Sequence, residues 1–275
     1  MKKILAFVSI LFVLVLAACG GSDKDAGSDS NEIKIGASST PHAEILEEAK
    51  PLLEKEGITL TIQQYQDFIL PNDDLANGDL DANYFQHIPY LETAIKNTGY
   101  DLDYIDGIHI EPMGIYSKDI ASIDDIKDGT EVILSRSVAD HGRVLALFEK
   151  EGLIKLDDSV EKVDATVKDI VDNPKNLTFS ADVDAAMLPE LYRAEDNVLV
   201  AINTNYAIDA DLNPLEDALI IEGEESPYVN VVAVRSEDKD NEALNKLVDV
   251  LHSDEIQDFI KEKYKGAVVP VGGNK

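Results

Sequence analysis

The hydrophobic positions of the chain follow two alternating periods downstream of an apolar N-terminal run. Residues 33–37 alternate as in a β-strand, and the apolar residues between 45 and 53 keep helical spacing. Thr40 and Pro41 fit the N-cap and first position of that helix, and Gly57 fits its end. The pattern therefore predicts a strand followed by a helix.

The same two patterns recur along the chain. We predict strands at residues 58–65, 80–85, 102–105, 131–134, 177–179, 198–202 and 229–234. We predict helices at residues 88–97, 138–151, 182–192, 241–252 and 254–264, a short helix opening at 71–72, and a mixed segment at 163–171. Strands that alternate with helices at this spacing indicate an α/β fold with a mostly parallel sheet covered on both faces.

The chain length of 275 residues accommodates two α/β units of about 100 residues each. Two connections fit the pattern. The C-terminal helices could complete the second unit, or the chain could cross between lobes near 111–116 and return near 222–232. The second connection would leave a cleft between two lobes, which is the usual place for a small ligand.

The N-terminus has the layout of a signal peptide at residues 1–18. Two lysines precede an apolar run at 4–16, which is too short to span a bilayer comfortably as a helix. The sequence LAAC at 16–19 resembles a bacterial lipobox, in which Cys19 would receive diacylglycerol; an ordinary signal peptide with an incidental cysteine is the alternative. Residues 19–31 contain no large apolar side chain and predict a flexible tether.

Charge and cysteine content exclude several classes of protein. With 24 Lys+Arg against 54 Asp+Glu, the formal charge is −30. Such a chain repels nucleic acid and anionic lipid head groups, so membrane attachment would depend on the lipid anchor alone. One cysteine permits neither an intramolecular disulfide nor a cysteine zinc site.

Sequence motifs for catalysis or cofactor binding are absent. We find no phosphate-binding glycine loop, no HExxH and no GxSxG, and the five histidines are scattered. Paired acids such as 73–74 and 157–158 fit helix N-termini and a solvated surface. We therefore expect no enzyme, no cofactor and no metal ion.

The segment NYFQHIPY at 83–90, preceded by GDLDA at 78–82, is the most informative in the chain. It clusters aromatic, amide and imidazole groups just past a predicted strand end. Further matching segments are 71–72, 99–100, 112–118, 165–166, 172–176, 202–207, 213–214 and 228–230. This pattern, in one order between 33 and 259, resembles the NlpA/MetQ family, the methionine-binding lipoproteins of bacterial ABC importers.

The resemblance implies a two-lobed periplasmic-binding-protein-like fold of type II, with the ligand cleft between the lobes. Lobe 1 would comprise residues 32–112 and 230–275, and lobe 2 residues 113–229.

The resemblance also implies an aromatic pocket for a thioether side chain, made by Phe68, Phe85 and Tyr90 with His87 alongside. Sulfur packs favourably against aromatic ring edges, which suits methionine. Phe68 stands where the family usually has tyrosine. Ordinary core packing is the alternative for these rings.

The polar end of the ligand would meet Arg143, whose guanidinium can grip a carboxylate through two hydrogen bonds; a surface or hinge ion pair is the alternative. Asn203 and Asn230 match polar contacts of the family. Asn205 is a further candidate, although helix capping would explain it equally well.

Three further positions depart from the family pattern. Asp140 replaces an asparagine that would face the ligand, and its carboxylate could pair with an α-ammonium but would repel an α-carboxylate. Met187 and Glu190 replace the usual glutamine and arginine. A different amino acid, a D-isomer or a short methionyl peptide would be compatible with these changes.

We therefore predict a non-enzymatic, monomeric receptor that binds methionine or a related small amino acid and docks on an ABC permease of the cytoplasmic membrane. It would be lipid-anchored on the extracytoplasmic face. A surface interaction protein or adhesin on the same fold is the alternative from another class, followed by an exported enzyme.

Overall fold

A computed structural model describes residues 31–223 and 226–272. The predicted signal peptide, the lipidation site Cys19 and the tether up to residue 30 lie outside the described residues. Within the described part, no helix combines the length and apolar character needed to cross a membrane.

The strands, in chain order, are β1 (Glu32–Ser38), β2 (Thr59–Tyr65), β3 (Ala82–His87), β4 (Leu102–Ile110), β5 (Gly114–Tyr116), β6 (Glu131–Ser135), β7 (Lys155–Leu156), β8 (Ile170–Asp172), β9 (Thr178–Val183), β10 (Leu199–Ile202), β11 (Ile220–Ile221), β12 (Val229–Arg235) and β13 (Val269–Pro270). The helices are α1 (Glu44–Lys55), α2 (Leu70–Asn77), α3 (Ile88–Thr98), α4 (Val138–Lys150), α5 (Leu188–Ala194), α6 (Thr204–Asp209), α7 (Pro214–Asp217), α8 (Glu242–Leu251) and α9 (Asp254–Tyr264).

Two sheets form the centres of two lobes. The first has the strand order β13-β4-β12-β3-β1-β2, and the second has the order β11-β5-β10-β6-β9. The prediction of a two-lobed α/β fold is confirmed. The prediction of mostly parallel sheets is wrong, because β12 pairs antiparallel with both β3 and β4, and β5 pairs antiparallel with both β10 and β11.

The chain passes between the sheets twice. Residues 111–113, the first crossover, join β4 to β5, and residues 222–228, the second crossover, join β11 to β12. The first sheet therefore takes strands from both ends of the described chain, and the second takes strands from its middle.

Helices cover both faces of the first sheet. Along β12, Val232 and Val234 pack with α1, α8 and α9, whereas Val231 and Ala233 face the cluster beside α2 and α3. This alternation explains why β12 reads as a continuous apolar run, because both faces of the strand are buried. In the second lobe, Phe148 of α4 packs in one such core.

Several predicted boundaries are wrong for local reasons. The regular α-helix starts at Glu44, later than predicted, because the backbone kinks at Thr40, whose φ of −125° and ψ of 135° are extended as the N-cap prediction requires. The predicted helix at 182–192 begins only at Leu188, since β9 extends to Val183. The aromatic segment at 83–90 is not past a strand end. Its first half is β3 itself, a central strand buried on both faces.

Candidate functional site

A small, partly open cavity lies between the two lobes, close to the crossovers. The predicted site residues that line it are Phe68, Phe85, His87, Tyr90, Asp140, Arg143, Asn203, Asn205 and Asn230. Sequence reasoning missed three other lining residues, Gln86, Glu111 and Thr204. The structure thus brings all nine predicted residues to one cavity.

Three aromatic rings form the apolar end of the cavity. The ring centroids of Phe68, Phe85 and Tyr90 are 5.9–6.2 Å apart, within the range of favourable edge contacts. The Tyr90 hydroxyl donates to the backbone carbonyl of Phe68 at 2.7 Å, which fixes both rings. Tyr206 extends the group, with its ring 5.0 Å from that of Phe68. This end suits an unbranched apolar side chain.

His87 is oriented by its place at the junction of β3 and α3. As the N-cap residue of α3, it accepts the backbone N–H of Tyr90 at its Nδ1 atom, 3.1 Å away. The proton therefore resides on Nε2, which donates to Oδ1 of Asp140 at 3.2 Å. Lobe 1 and lobe 2 meet in this hydrogen bond.

Asp140 lies in the first turn of α4, where the helix dipole favours a negative charge. Burial alone would raise the pKa of its carboxyl. The hydrogen bond from His87 and the nearby charge of Arg143 outweigh burial and hold that pKa below its ordinary value. Asn203 Nδ2 and the Ser135 hydroxyl, at 3.4 and 3.3 Å, also donate to the carboxylate. Asp140 is therefore ionised at neutral pH.

Arg143 enters the cavity one turn further along α4. Its Nε donates to Oε2 of Glu222 at 2.7 Å, and its Nη2 lies 2.5 Å from the same oxygen. Nη2 also donates to the backbone carbonyl of Glu111, and the guanidinium carbon sits 4.7 Å from the ring centroid of Tyr228. Both crossovers thus hold the guanidinium, and Nη1 makes no hydrogen bond within the described residues.

Glu111 joins the cavity to a buried group of imidazoles. Its Oε1 accepts Nε2–H of His109 at 2.9 Å and lies 3.1 Å from Nε2 of His42, which donates to Oδ1 of Asn230. On their Nδ1 atoms, the two rings accept the hydroxyls of Tyr84 and Ser38. Burial lowers the pKa of His42 to about 4 and that of His109 to about 3, and raises the pKa of Glu111.

These same three side chains offer donor atoms suited to a metal ion, all within 4.8 Å of one another. Tetrahedral zinc with bonds of about 2.0–2.1 Å would separate its ligand atoms by about 3.3 Å. The 2.9 and 3.1 Å separations between the Nε2 atoms and Oε1 are instead ordinary hydrogen-bond lengths. The geometry favours a hydrogen-bonded network that fixes Glu111 at the edge of the cavity.

Two amide atoms at the cavity have no hydrogen-bond partner among the described residues. They are Oδ1 of Asn203 and Nδ2 of Asn205, on side chains that are 9% and 4% exposed. Leaving a buried polar atom unpaired costs about 1–3 kcal/mol. One free acceptor and one free donor at a cavity wall are therefore suited to a polar ligand. The capping explanation for Asn205 finds no support, since its side chain caps no described helix.

Asn230, on strand β12 of the first sheet, also lines the cavity. It pairs with His87 on one neighbouring strand and with His109 on the other, and its Oδ1 lies 3.1 Å from His42 Nε2.

Met187 and Glu190 lie away from the cavity. Met187 is 52% exposed and borders a neighbouring groove that shares Phe68 and Tyr90 with the cavity, and Glu190 faces Arg193 at 3.8 Å. Their departure from the family pattern does not alter the cavity wall.

For two of the three lining residues that were not predicted, the sequence contained a usable signal. Gln86 stands inside the aromatic segment, and Glu111 opens the predicted crossover. Thr204 carried none, because its role follows from a hydrogen bond to the carbonyl of Pro112 on the first crossover.

Residues 33–272 match the family model described as NlpA lipoprotein. The methionine-binding lipoprotein MetQ of Bacillus subtilis is 48% identical, over 98% of this chain and 99% of the relative. A solved structure of a pheromone cOB1 precursor/lipoprotein from Enterococcus faecalis is 49% identical, with a TM-score of 0.85 over 87% of this chain and 100% of that one. A nutrient-binding protein from Burkholderia cenocepacia, solved bound to methionine, is 38% identical, with a TM-score of 0.82 over 87% of this chain and 100% of that one.

Proposed function

Because the chain belongs to the NlpA lipoprotein family, we propose that it is the substrate-binding lipoprotein of an ABC importer and binds methionine or a closely related small amino acid. The observation that carries this proposal is the division of one cavity into two chemically distinct ends. Three rings surround the apolar end, and charged and amide groups surround the polar end. An amino acid with an unbranched apolar side chain matches both ends.

The unpaired atoms suggest how such a ligand lies. Its side chain enters between Phe68, Phe85 and Tyr90. Its carboxylate meets Nη1 of Arg143 and Nδ2 of Asn205, two donors that make no hydrogen bond within the described residues. Its ammonium meets Oδ1 of Asn203 and the ionised carboxylate of Asp140. Either isomer of methionine carries these groups.

We propose that two lobes move toward each other when the ligand binds. One lobe comprises residues 32–112 and 230–275, and the other comprises residues 113–229. Closure about the two crossovers would bring His87 against Asp140, and a ligand that contacts both lobes stabilises the closed form. The protein in this proposal is a receptor and not a catalyst. Its Cys19 carries a lipid that anchors it on the extracytoplasmic face of the cell membrane, beside its permease.

Isothermal titration calorimetry tests the ligand class. The purified soluble domain is titrated with the twenty common amino acids, D-methionine and methionyl dipeptides, with methionine expected to bind most tightly. A panel in which nothing binds more tightly than about 1 mM, a binding free energy of only about −4 kcal/mol, contradicts the proposal.

A second candidate function concerns the leader at residues 1–18. The Enterococcus faecalis relative is described as a pheromone precursor. In this chain, cleavage before Cys19 would release a short peptide that contains the apolar run at 4–16. We propose that peptides from this leader act as hydrophobic signals outside the cell.

Mass spectrometry of the culture medium tests this second function. Peptides from residues 1–18 are expected from cells that produce the wild-type chain and not from cells that produce Cys19→Ser, which lacks the thiol that accepts the lipid. A medium without such peptides contradicts the signalling function and leaves the receptor function untouched.

A further inference from the structure

The carboxylate of Glu222 joins the two crossovers to each other. Its Oε2 accepts the backbone N–H of Met113, on the first crossover, at 3.1 Å. Its Oε1 accepts the hydroxyl of Ser226, on the second, at 3.0 Å. The same Oε2 is the partner of Arg143, and the side chain is only 12% exposed. One carboxylate thus fixes both crossovers and the only arginine of the cavity wall.

Arg143 has two other carboxylates within reach of its charge. Asp140 and Glu111 both line the cavity. The charge of Arg143 helps to hold the pKa of Asp140 below its ordinary value, and at Glu111 it opposes the burial that raises the pKa. Glu222 pulls the guanidinium toward the crossovers, whereas these two carboxylates attract it into the cavity. Tyr228, stacked 4.7 Å away, limits its movement on the crossover side.

We propose that Glu222 is a positioning residue that acts through Arg143. It holds the guanidinium against the crossovers, so that Nη1 faces the place of the ligand carboxylate and does not turn toward Asp140 or Glu111. This inference rests on the proposed function, because it assigns the ligand carboxylate to Arg143. The role requires the charge of Glu222, since a neutral side chain competes poorly with two carboxylates for one guanidinium.

The test compares Glu222→Gln with the wild-type protein for two ligands, L-methionine and L-methioninamide, which lacks the carboxylate. Affinity for L-methionine should fall about tenfold in the variant, whereas affinity for L-methioninamide should change less than about twofold. If Glu222 served only to stabilise the fold, the variant would lose affinity for both ligands by the same factor. Equal losses, or no loss, overturn the inference.

Glu222→Asp keeps the charge on a shorter side chain and should recover part of the preference for L-methionine. Asp196→Asn is the matched control, because it removes an exposed ion pair with Lys118 in the same lobe and should change neither affinity. A Glu222→Asp variant that behaves as Glu222→Gln contradicts the need for the charge.

A second measurement requires no ligand. Thermal unfolding of wild type, Glu222→Gln, Arg143→Ala and the double variant should show non-additive losses, because the second change removes a partner that is already missing. If wild-type protein binds no methionine, the proposed function fails, and with it the assignment of a ligand carboxylate to Arg143. Additive losses of melting temperature overturn the inference separately, because they show that Glu222 does not act through Arg143, whereas non-additive losses support that coupling.

Discussion

The Nε2 atom of His87 lies 3.2 Å from Oδ1 of Asp140, and the two residues come from opposite lobes. His87 ends a central strand of the first sheet, whereas Asp140 lies in the first turn of a helix beside the second. Both line the cavity. This contact between the lobes is therefore also part of the cavity wall, so the proposed closure would be linked to occupation of the cavity.

Replacing Asp140 tests this contact. Asp140→Ala leaves the His87 Nε2–H without its acceptor and should weaken methionine binding about 10- to 100-fold in calorimetry. Asp140→Asn keeps an oxygen acceptor for His87 but removes the charge that faces the ligand ammonium, so its affinity should lie between those of wild type and Asp140→Ala. If Asp140→Asn binds as weakly as Asp140→Ala, the charge of Asp140 matters more than its hydrogen bond to His87.

Arg143→Ala should affect both binding and stability. Loss of the proposed carboxylate contact should cost about 2–5 kcal/mol of binding free energy. Glu222 would also lose its counter-charge in a mostly buried place, so the melting temperature should fall.

Arg136→Ala is the matched control for that change, since its ion pair with Asp184 is 55% exposed on both sides. It should leave the melting temperature and the affinity nearly unchanged. An Arg143→Ala variant with wild-type affinity would place the ligand carboxylate elsewhere.

The Phe85 ring should make the protein bind a ligand with a sulfur atom more tightly than a ligand with a methylene group at the same place. In Phe85→Leu an apolar side chain remains but the ring is lost, so the contact of about 0.3–1.5 kcal/mol between sulfur and ring disappears. Wild type should therefore prefer methionine to norleucine, and the variant should show a smaller preference in competition titrations.

Phe179→Leu serves as the control, because that ring packs against Phe148 in the core of the second lobe. It should keep the wild-type preference. An unchanged preference in Phe85→Leu would mean that the thioether does not contact this ring.

The sequence predicted those parts of the site that depend on local order. Phe85, His87 and Tyr90 lie within six residues of one another, at a strand–helix junction that any α/β register would keep together. Arg143 follows from its place early in a predicted helix and from the family resemblance. Of the two chain connections that the pattern allowed, one contained both crossovers.

The remaining parts depend on contacts between distant residues. Glu222 and Met113 are 109 positions apart and meet only because both crossovers run side by side. His109 and Glu111 are two positions apart, but His42 comes from a distant segment, so no spacing in the sequence indicates that the three side chains meet. The antiparallel pairs around β12 were missed for a similar reason, since its continuous apolar run suggests a parallel strand equally well.

The buried imidazoles predict how stability depends on pH. His42 has a pKa of about 4 and His109 of about 3 in the folded protein, against about 6.5 when exposed. Between these values the unfolded chain binds protons that the folded chain does not, so stability falls as the pH drops from about 6.5 to 4. The raised pKa of Glu111 acts with the opposite sign, but it is one group against two. Each imidazole should cost about 2 kcal/mol between pH 7 and pH 5.

Urea unfolding of wild type and His42→Gln at a series of pH values measures this effect. The variant should be less stable at pH 7, because it loses the hydrogen bonds of the ring to Asn230 and Ser38. It should nevertheless lose less stability than wild type between pH 7 and pH 5, because only one of the two imidazoles whose pKa is lowered by folding remains. Between pH 7 and pH 8 both imidazoles are mostly neutral in the folded and in the unfolded chain. The free energies of unfolding of the two proteins should therefore change with pH in the same way over this range. Equal slopes below pH 6.5 would show that His42 takes up its proton as readily in the folded chain as in the unfolded one.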